Sequence, residues 1–214
     1  MTTDPADYRP ETFKDMIGPS ALVGAVLIGK CAALRTSRSP FKVLLFGPPG
    51  VGKSELIKMI AIELTGLPLD RFGNSFATES VNGKNVTSET VRRWMEEAHY
   101  RPMYPYRIKL VNEIDQMHEA SQVLLLDYLD GLGQDSAFLG TSNLQLMALS
   151  ERFETRLQQF KVSAPTTEEI ASFLRKRWGF SKRQALEIAV GSGNNVRAAL
   201  LDGQSILDVQ RIAA

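Results

Sequence analysis

A single cysteine, Cys31, stands in 214 residues, so the chain can form neither an internal disulfide nor a cysteine-based zinc site. Cys31 falls inside the apolar run Ala21–Leu34 and reads as a small buried filler. An excess of either charge is also missing. Lys plus Arg number 25 against 24 Asp plus Glu, a formal charge of +1, so no global field draws the chain to nucleic acid or to a membrane. Any DNA contact must then come from a local patch. No apolar stretch reaches the roughly 20 residues that spanning a bilayer takes. The opening Met1–Asp7 has neither the basic nor the apolar region of a secretion signal. Together these absences predict a reducing intracellular setting, cytoplasmic or nucleoid-associated, with no membrane partner. His99 and His118 have no metal-ligand companions at useful spacing and read as surface residues.

What is present is the balance of a folded domain, 43% hydrophobic and 23% charged. Helical spacing of apolar residues predicts a helix over 20–35, N-capped by Ser20. Further helices are expected at 53–65, 88–100 (capped by Thr87 or Ser88) and 121–132. Short β-rich runs at 41–46, 108–111 and 137–140 predict strands. Strands alternating with helices imply a parallel sheet covered on both faces. After Val162 the pattern changes. Ser163-Ala164-Pro165-Thr166-Thr167 reads as a hinge, and only helices follow, at 167–178, 181–190 and 195–209. The expected architecture is α/β: a P-loop NTPase parallel sheet sandwiched by helices over 1–163, followed by a small all-helical lid over 164–214.

Gly47-Pro48-Pro49-Gly50-Val51-Gly52-Lys53-Ser54 matches the Walker A pattern in full, between a strand and a helix. Glycines let backbone N–H groups close around phosphates where a side chain would collide. The helix N-terminus adds its positive dipole end. Lys53 is expected to reach the β- and γ-phosphates of ATP, and the Ser54 hydroxyl to ligate Mg²⁺. Arg107–Asp115 ends a strand in a polar cluster where a Walker B element belongs. Its acidic pair reads Asn112-Glu113 rather than Asp-Glu. An amide can accept a hydrogen bond from a metal-bound water but brings no charge. Weaker Mg²⁺ binding and slower hydrolysis follow as expectations, with Glu113 keeping the general-base position. A subunit that binds nucleotide and hydrolyses little is the rival reading.

Tyr8-Arg9-Pro10 through Ile17-Gly18, taken with the P-loop, resembles the opening of AAA+ ATPases of the clamp-loader group, a resemblance running from about Tyr8 to about Leu201. It implies that Tyr8, Arg9, Pro10, Ile17 and Gly18 line the adenine pocket. It makes Asn143, in Gly140-Thr141-Ser142-Asn143, the sensor 1 residue that positions the hydrolytic water. Thr155–Val162 is similar to the group's Ser-Arg-Cys box, which implies that Arg156 acts in trans as an arginine finger on a neighbour's ATP; Arg152 is its rival. Gly193–Leu200 resembles the sensor 2 helix, with Arg197 on the lid touching the γ-phosphate. Residues 82–93 are similar to a segment that faces DNA, which implies phosphate contacts from Lys84, Ser88, Arg92 and Arg93.

The resemblance implies an oligomer, of this chain or of related AAA+ subunits, acting on DNA or on a DNA-bound protein ring in replication or repair. Clamp loaders carry a helical collar after the lid, whereas this sequence ends at Ala214. Assembly is therefore expected to rest on the ATPase modules or on a separate partner. A helicase loader, a branch-migration-type protein and a non-hydrolysing subunit of a hetero-oligomer remain open; a protein remodeller is disfavoured because no aromatic-hydrophobic-glycine pore loop occurs. The aromatic and basic run Tyr100–Arg107 reads as a packed connector or as a contact for a partner or single strand.

Overall fold

The structure, a computed structural model, describes residues 8, 10–67, 77–143 and 151–212. Five strands form one sheet: β1 (Phe41–Phe46), β2 (Thr78–Asn82), β3 (Arg107–Asn112), β4 (Ser136–Ser142) and β5 (Gln158–Lys161). Their order is β2-β3-β4-β1-β5 and every pairing is parallel. Parallel neighbours need crossovers, and helices supply them: α1 (Pro19–Ser37), α2 (Lys53–Thr65), α3 (Ser88–Ala98), α4 (Glu119–Asp130) and the short α5 (Glu151–Glu154).

Strand alternation sorts the core into two layers. Val43, Leu45, Ile108, Leu110, Ala137 and Leu139 face α1 and α2. Leu44, Val111 and Phe138 face the other way, toward Val91 and Trp94 of α3 and Leu125 and Leu129 of α4. A third core holds α6 (Thr167–Trp178), α7 (Lys182–Gly191) and α8 (Val196–Ile212) together through Ile170, Leu174, Ala185, Ala189 and Ala199. The α/β sheet followed by a helical unit is the expected fold.

Three expectations needed correction. The cap of α1 is Gly18, at φ 60°, with Pro19 opening the helix; Ser20 instead donates its hydroxyl to the Ile17 carbonyl at 2.8 Å. Pro at the first helical position has its φ preset, so it defines the start more strongly than a buried serine does. Strands β2 and β5 were not among the expected strands. And α1, 19 residues long, is long and apolar enough by length and composition to cross a membrane, contrary to the reading of the sequence. In the fold it lies on α2, with Leu27 and Cys31 fully buried. Thr87 caps α3, one of the two candidates the sequence offered, and Thr166 caps α6 in a reciprocal box with Glu169.

Candidate nucleotide-binding site

The C-terminal ends of the parallel strands all open toward one edge, the place where such sheets bind ligands. There β1 passes into the loop Gly47–Gly52, and α2 begins at Lys53. The loop can exist only with glycine at its close approaches. A Cβ on Gly47 would lie 2.0 Å from the Val162 carbonyl oxygen, and one on Gly50, at φ 77°, would lie 1.9 Å from Asn195 Oδ1. Pro48 and Pro49 are exposed at its outer turn, Val51 is buried, and Ser54 is half-buried in the first turn of α2.

Lys53 is folded into this loop. Its ammonium donates to the Gly47 carbonyl (2.8 Å), the Pro48 carbonyl (2.7 Å) and Asn143 Oδ1 (3.0 Å). Burial lowers its pKa to about 8, against the pull of Asp115 and Glu113. The backbone carbonyls are weak partners for a cation, and a phosphate oxygen would replace them with a charged one.

Asn143 carries the network on. Its Nδ2 donates to Glu113 Oε1 (3.3 Å), and its backbone N–H donates to Asp115 Oδ1 (3.3 Å). Glu113 sits in left-handed backbone, φ 57°, where β3 ends, and its N–H donates to Thr141 Oγ1 at 3.0 Å. Its second carboxylate oxygen accepts from Asn82 Nδ2 at 2.9 Å. Asn112 Oδ1 is 3.5 Å from the Thr141 hydroxyl. Lys53, Asn143 and Glu113, three residues far apart in sequence, thus meet at one mouth.

Asn82 and Thr141 were not foreseen as members of this cluster. Asn82 pairs in register with Asn112, one residue before Glu113. Gly83 follows it, and a Cβ there would lie 2.1 Å from the Glu113 carbonyl oxygen. An Asn-Gly pair at the end of a polar strand is the only sequence trace of this seat.

A cavity of about 380 Å³ adjoins the loop, lined by Tyr8, Pro10, Ile17, Gly50, Val51 and Gly52 on one side and by Arg197 and Leu200 of α8 on the other. Of the expected nucleotide-binding residues, Tyr8, Pro10, Ile17, Gly50, Val51, Gly52 and Arg197 line it; Arg9 lies outside the described residues, and Gly18 caps α1 and lines a second cavity on the α6 side. The helical unit reaches the loop directly, the Arg197 backbone N–H being 3.4 Å from the Gly50 carbonyl. The Arg197 side chain is exposed.

The remaining expected residues sit apart. Arg156 makes a two-pronged ion pair with Asp130, at 2.8 and 2.7 Å, and donates to the Arg152 carbonyl at 2.9 Å. Arg93 is taken up in a cluster with Glu79 and Glu97, which also receive the buried ammonium of Lys109. Lys84 and Arg92 are exposed and Ser88 is half-buried on the same stretch. His99 and His118 are exposed, and no cluster of three metal-ligating side chains occurs among the described residues.

The family model for the ATPase family associated with various cellular activities matches residues 43–184, from β1 through the loop and Glu113 into α7. The chain belongs to the AAA family of ATPases. Among curated relatives of this AAA chain, the Holliday junction branch migration complex subunit RuvB of Phytoplasma mali is 29% identical over 183 residues, 81% of this chain and 47% of that protein. The probable replication factor C subunit 5 of Dictyostelium discoideum is 22% identical over 165 residues, 75% and 46% of the two chains. The chain thus spans about half the length of the curated relatives it matches. A structure of Thermotoga maritima RuvB superposes with a TM-score of 0.77 at 19% identity, over 96% of this chain and 68% of that one. A DNA polymerase III gamma subunit-related protein of the same organism gives 0.60 at 13% identity, over 82% and 57%. At these identities the structural likeness bears on the fold alone.

Proposed function

We propose that this AAA chain binds ATP between the Gly47–Ser54 loop, the Tyr8–Gly18 segment and α8, and hydrolyses it as one subunit of an assembly that works on DNA or a DNA-bound protein. The observation that carries the reading is the connected set Lys53–Asn143–Glu113–Asn82 at the mouth of the loop. Lys53 would exchange its loop carbonyls for β- and γ-phosphate oxygens. Glu113, a carboxylate held by two amides, would take the proton of a water positioned by Asn143 as that water attacks the γ-phosphorus and ADP departs. The base is oriented by hydrogen bonds before any substrate arrives, which is what pre-organisation requires.

The donor set fits Mg²⁺ only in a reduced form. The Ser54 hydroxyl and the Asn112 amide oxygen would hold the ion directly or through water, and both are neutral. A bound Mg²⁺ would neutralise phosphate charge. With no carboxylate at position 112, the chain would hold it less firmly than an aspartate would. Asn112 is also the specific observation behind a second reading, a subunit that binds ATP and turns it over slowly or not at all.

Residues 1–163 and 164–214 are taken as the catalytic unit and the lid, with Arg197 as the lid's contact to phosphate. Arg156 is proposed to act across a subunit boundary. Within the chain its guanidinium is held by Asp130 and the Arg152 carbonyl, outside the Lys53–Asn143–Glu113 cluster. The names of the sequence relatives, a branch-migration subunit and a replication factor subunit, support a role at DNA of either kind, clamp-loader-like or branch-migrating. Of the basic residues expected at DNA, Lys84 and Arg92 are exposed and make no ion pair among the described residues, whereas Arg93 would first have to leave its ion pairs.

Steady-state ATPase assays with and without DNA test this reading. Turnover stimulated by DNA and abolished by Glu113→Gln is the expected result. ATP binding with no turnover under any condition would select the second reading.

A further inference from the structure

A second groove, of about 520 Å³, lies at the end of the sheet opposite the nucleotide site. Its walls come from the segments that lead into β1 and β3, namely Arg35 and Arg38 at the end of α1 and Arg101 to Tyr106 before β3. No Asp or Glu side chain lines it. The proposed ATPase chemistry makes no use of it.

The loop that forms it has an unusual surface composition: Tyr100-Arg101-Pro102-Met103-Tyr104-Pro105-Tyr106. Arg, Tyr and Met are the residues enriched at protein–protein interfaces, while the depleted types, Lys, Asp, Glu, Ser and Ala, are all missing from it. Met103 is 86% exposed and Tyr100 73%, although an unpartnered surface of this kind costs solvation. The loop is nevertheless fixed. The buried Tyr106 hydroxyl lies 2.9 Å from the Leu34 carbonyl and 3.0 Å from that of Ser39. At the other end the Arg107 guanidinium bonds the Glu97 and Tyr100 carbonyls. A loop ordered before its partner arrives loses little entropy on docking.

Charge narrows the partner. Arg38 is paired in two-pronged fashion with Asp135, and Arg35 lies 3.7 Å from Glu63. Among the described residues Arg101 has no ion pair. The groove therefore offers one uncommitted guanidinium beside apolar contacts. A row of nucleic-acid phosphates needs several free cations; a single carboxylate needs one.

We propose that this groove is a docking site for a partner protein, taking an extended segment that presents a carboxylate to Arg101 next to a large apolar side chain seated on Met103 and Tyr104. A library of random peptides of about twelve residues, displayed on phage and selected against the full chain, tests it. The same library is run against the Arg101→Glu/Met103→Asp double variant, whose retained ATP binding shows that the fold survives. Selected peptides are expected to carry Asp or Glu beside Leu, Phe or Trp. They are expected to bind the double variant at least about tenfold more weakly, and to shift the Met103 methyl resonance of the parent. Selected peptides without such a pair, equal binding to both proteins, or displacement of the peptide by an oligothymidylate strand would each overturn the proposal; the last would assign the groove to single-stranded DNA.

Discussion

Lys53 is the side chain whose charge the proposed chemistry depends on most, and its environment in the free chain sets a pH limit. Burial has brought its pKa to about 8, and a triphosphate would raise it again. Binding above pH 8 must then take up a proton. Affinity for ATP is expected to be flat from pH 6.5 to 7.5 and to weaken about tenfold per pH unit above 8, until the bound form also titrates. Calorimetry in buffers of different ionisation heat would show proton uptake of one per site at pH 9 and almost none at pH 7. Glu113→Gln keeps the shape of the site and removes its proposed base. Turnover should fall by about 10²–10⁴-fold while ATP affinity stays within a small factor. Asn82 bonds the Glu113 carboxylate, and on the proposed chemistry it would act through it as a positioning residue. Asn82→Asp would set a second carboxylate beside the first, so the rate should drop at neutral pH and the acid limb of the pH–rate profile should move upward. A drop in rate without that movement would make Asn82 merely structural. Asn112→Asp should restore a charged metal ligand and lower the Mg²⁺ concentration needed for half-maximal turnover.

Among elements, the β2–α3–β3 edge is held by charge as well as by packing. The Glu79 carboxylate is half-buried, which works against ionisation. Hydrogen bonds from Arg93, Lys109 and the Trp94 indole outweigh this and hold its pKa at about 2. A carboxylate with a depressed folded pKa stabilises the fold above its unfolded value, near 4.5, and that contribution is lost as pH falls toward 2. Glu79→Gln should flatten this part of an acid-unfolding curve and cost about 1–3 kcal/mol at pH 7, because the buried Lys109 ammonium keeps only Glu97. The same element shows where reading the sequence stops. Three of the five strands and all the longer helices announce themselves through apolar runs or periodicity; β5, Gln158-Gln159-Phe160-Lys161, is mostly exposed and polar and does not. Thr78-Glu79-Ser80-Val81-Asn82 does not either, because β2 is an edge strand with a single apolar residue, Val81, packed against the core, and its other residues are polar. Missing β2 also hid Asn82, since its nearness to Glu113 is a fact of strand register. The P-loop was legible because its chemistry is contiguous. Arg93 was assigned to DNA because a sequence shows a cation and not the carboxylates that claim it.

For the molecule as a whole, the helical unit and the sheet meet at the candidate nucleotide cavity, with Arg197 and Leu200 on one wall and Tyr8, Pro10 and Ile17 on the other. Closing that cavity on a triphosphate would fix the angle of the helical unit, and a fixed angle is what a repeating assembly requires. The trans role proposed for Arg156 would demand that such an assembly form. Sedimentation with a slowly hydrolysed ATP analogue should reveal species larger than the monomer, and Arg156→Ala should leave ATP binding intact while abolishing turnover. Asp130→Ala, which frees Arg156, should not abolish it. The most direct test of the account lies with Lys53: titration of parent and Lys53→Ala chains with a fluorescent ATP analogue at pH 7. The account predicts saturable binding by the parent, weakened at least about a hundredfold, roughly 2.7 kcal/mol, in the variant. Equal affinity in the two, or no binding by the parent, would contradict it.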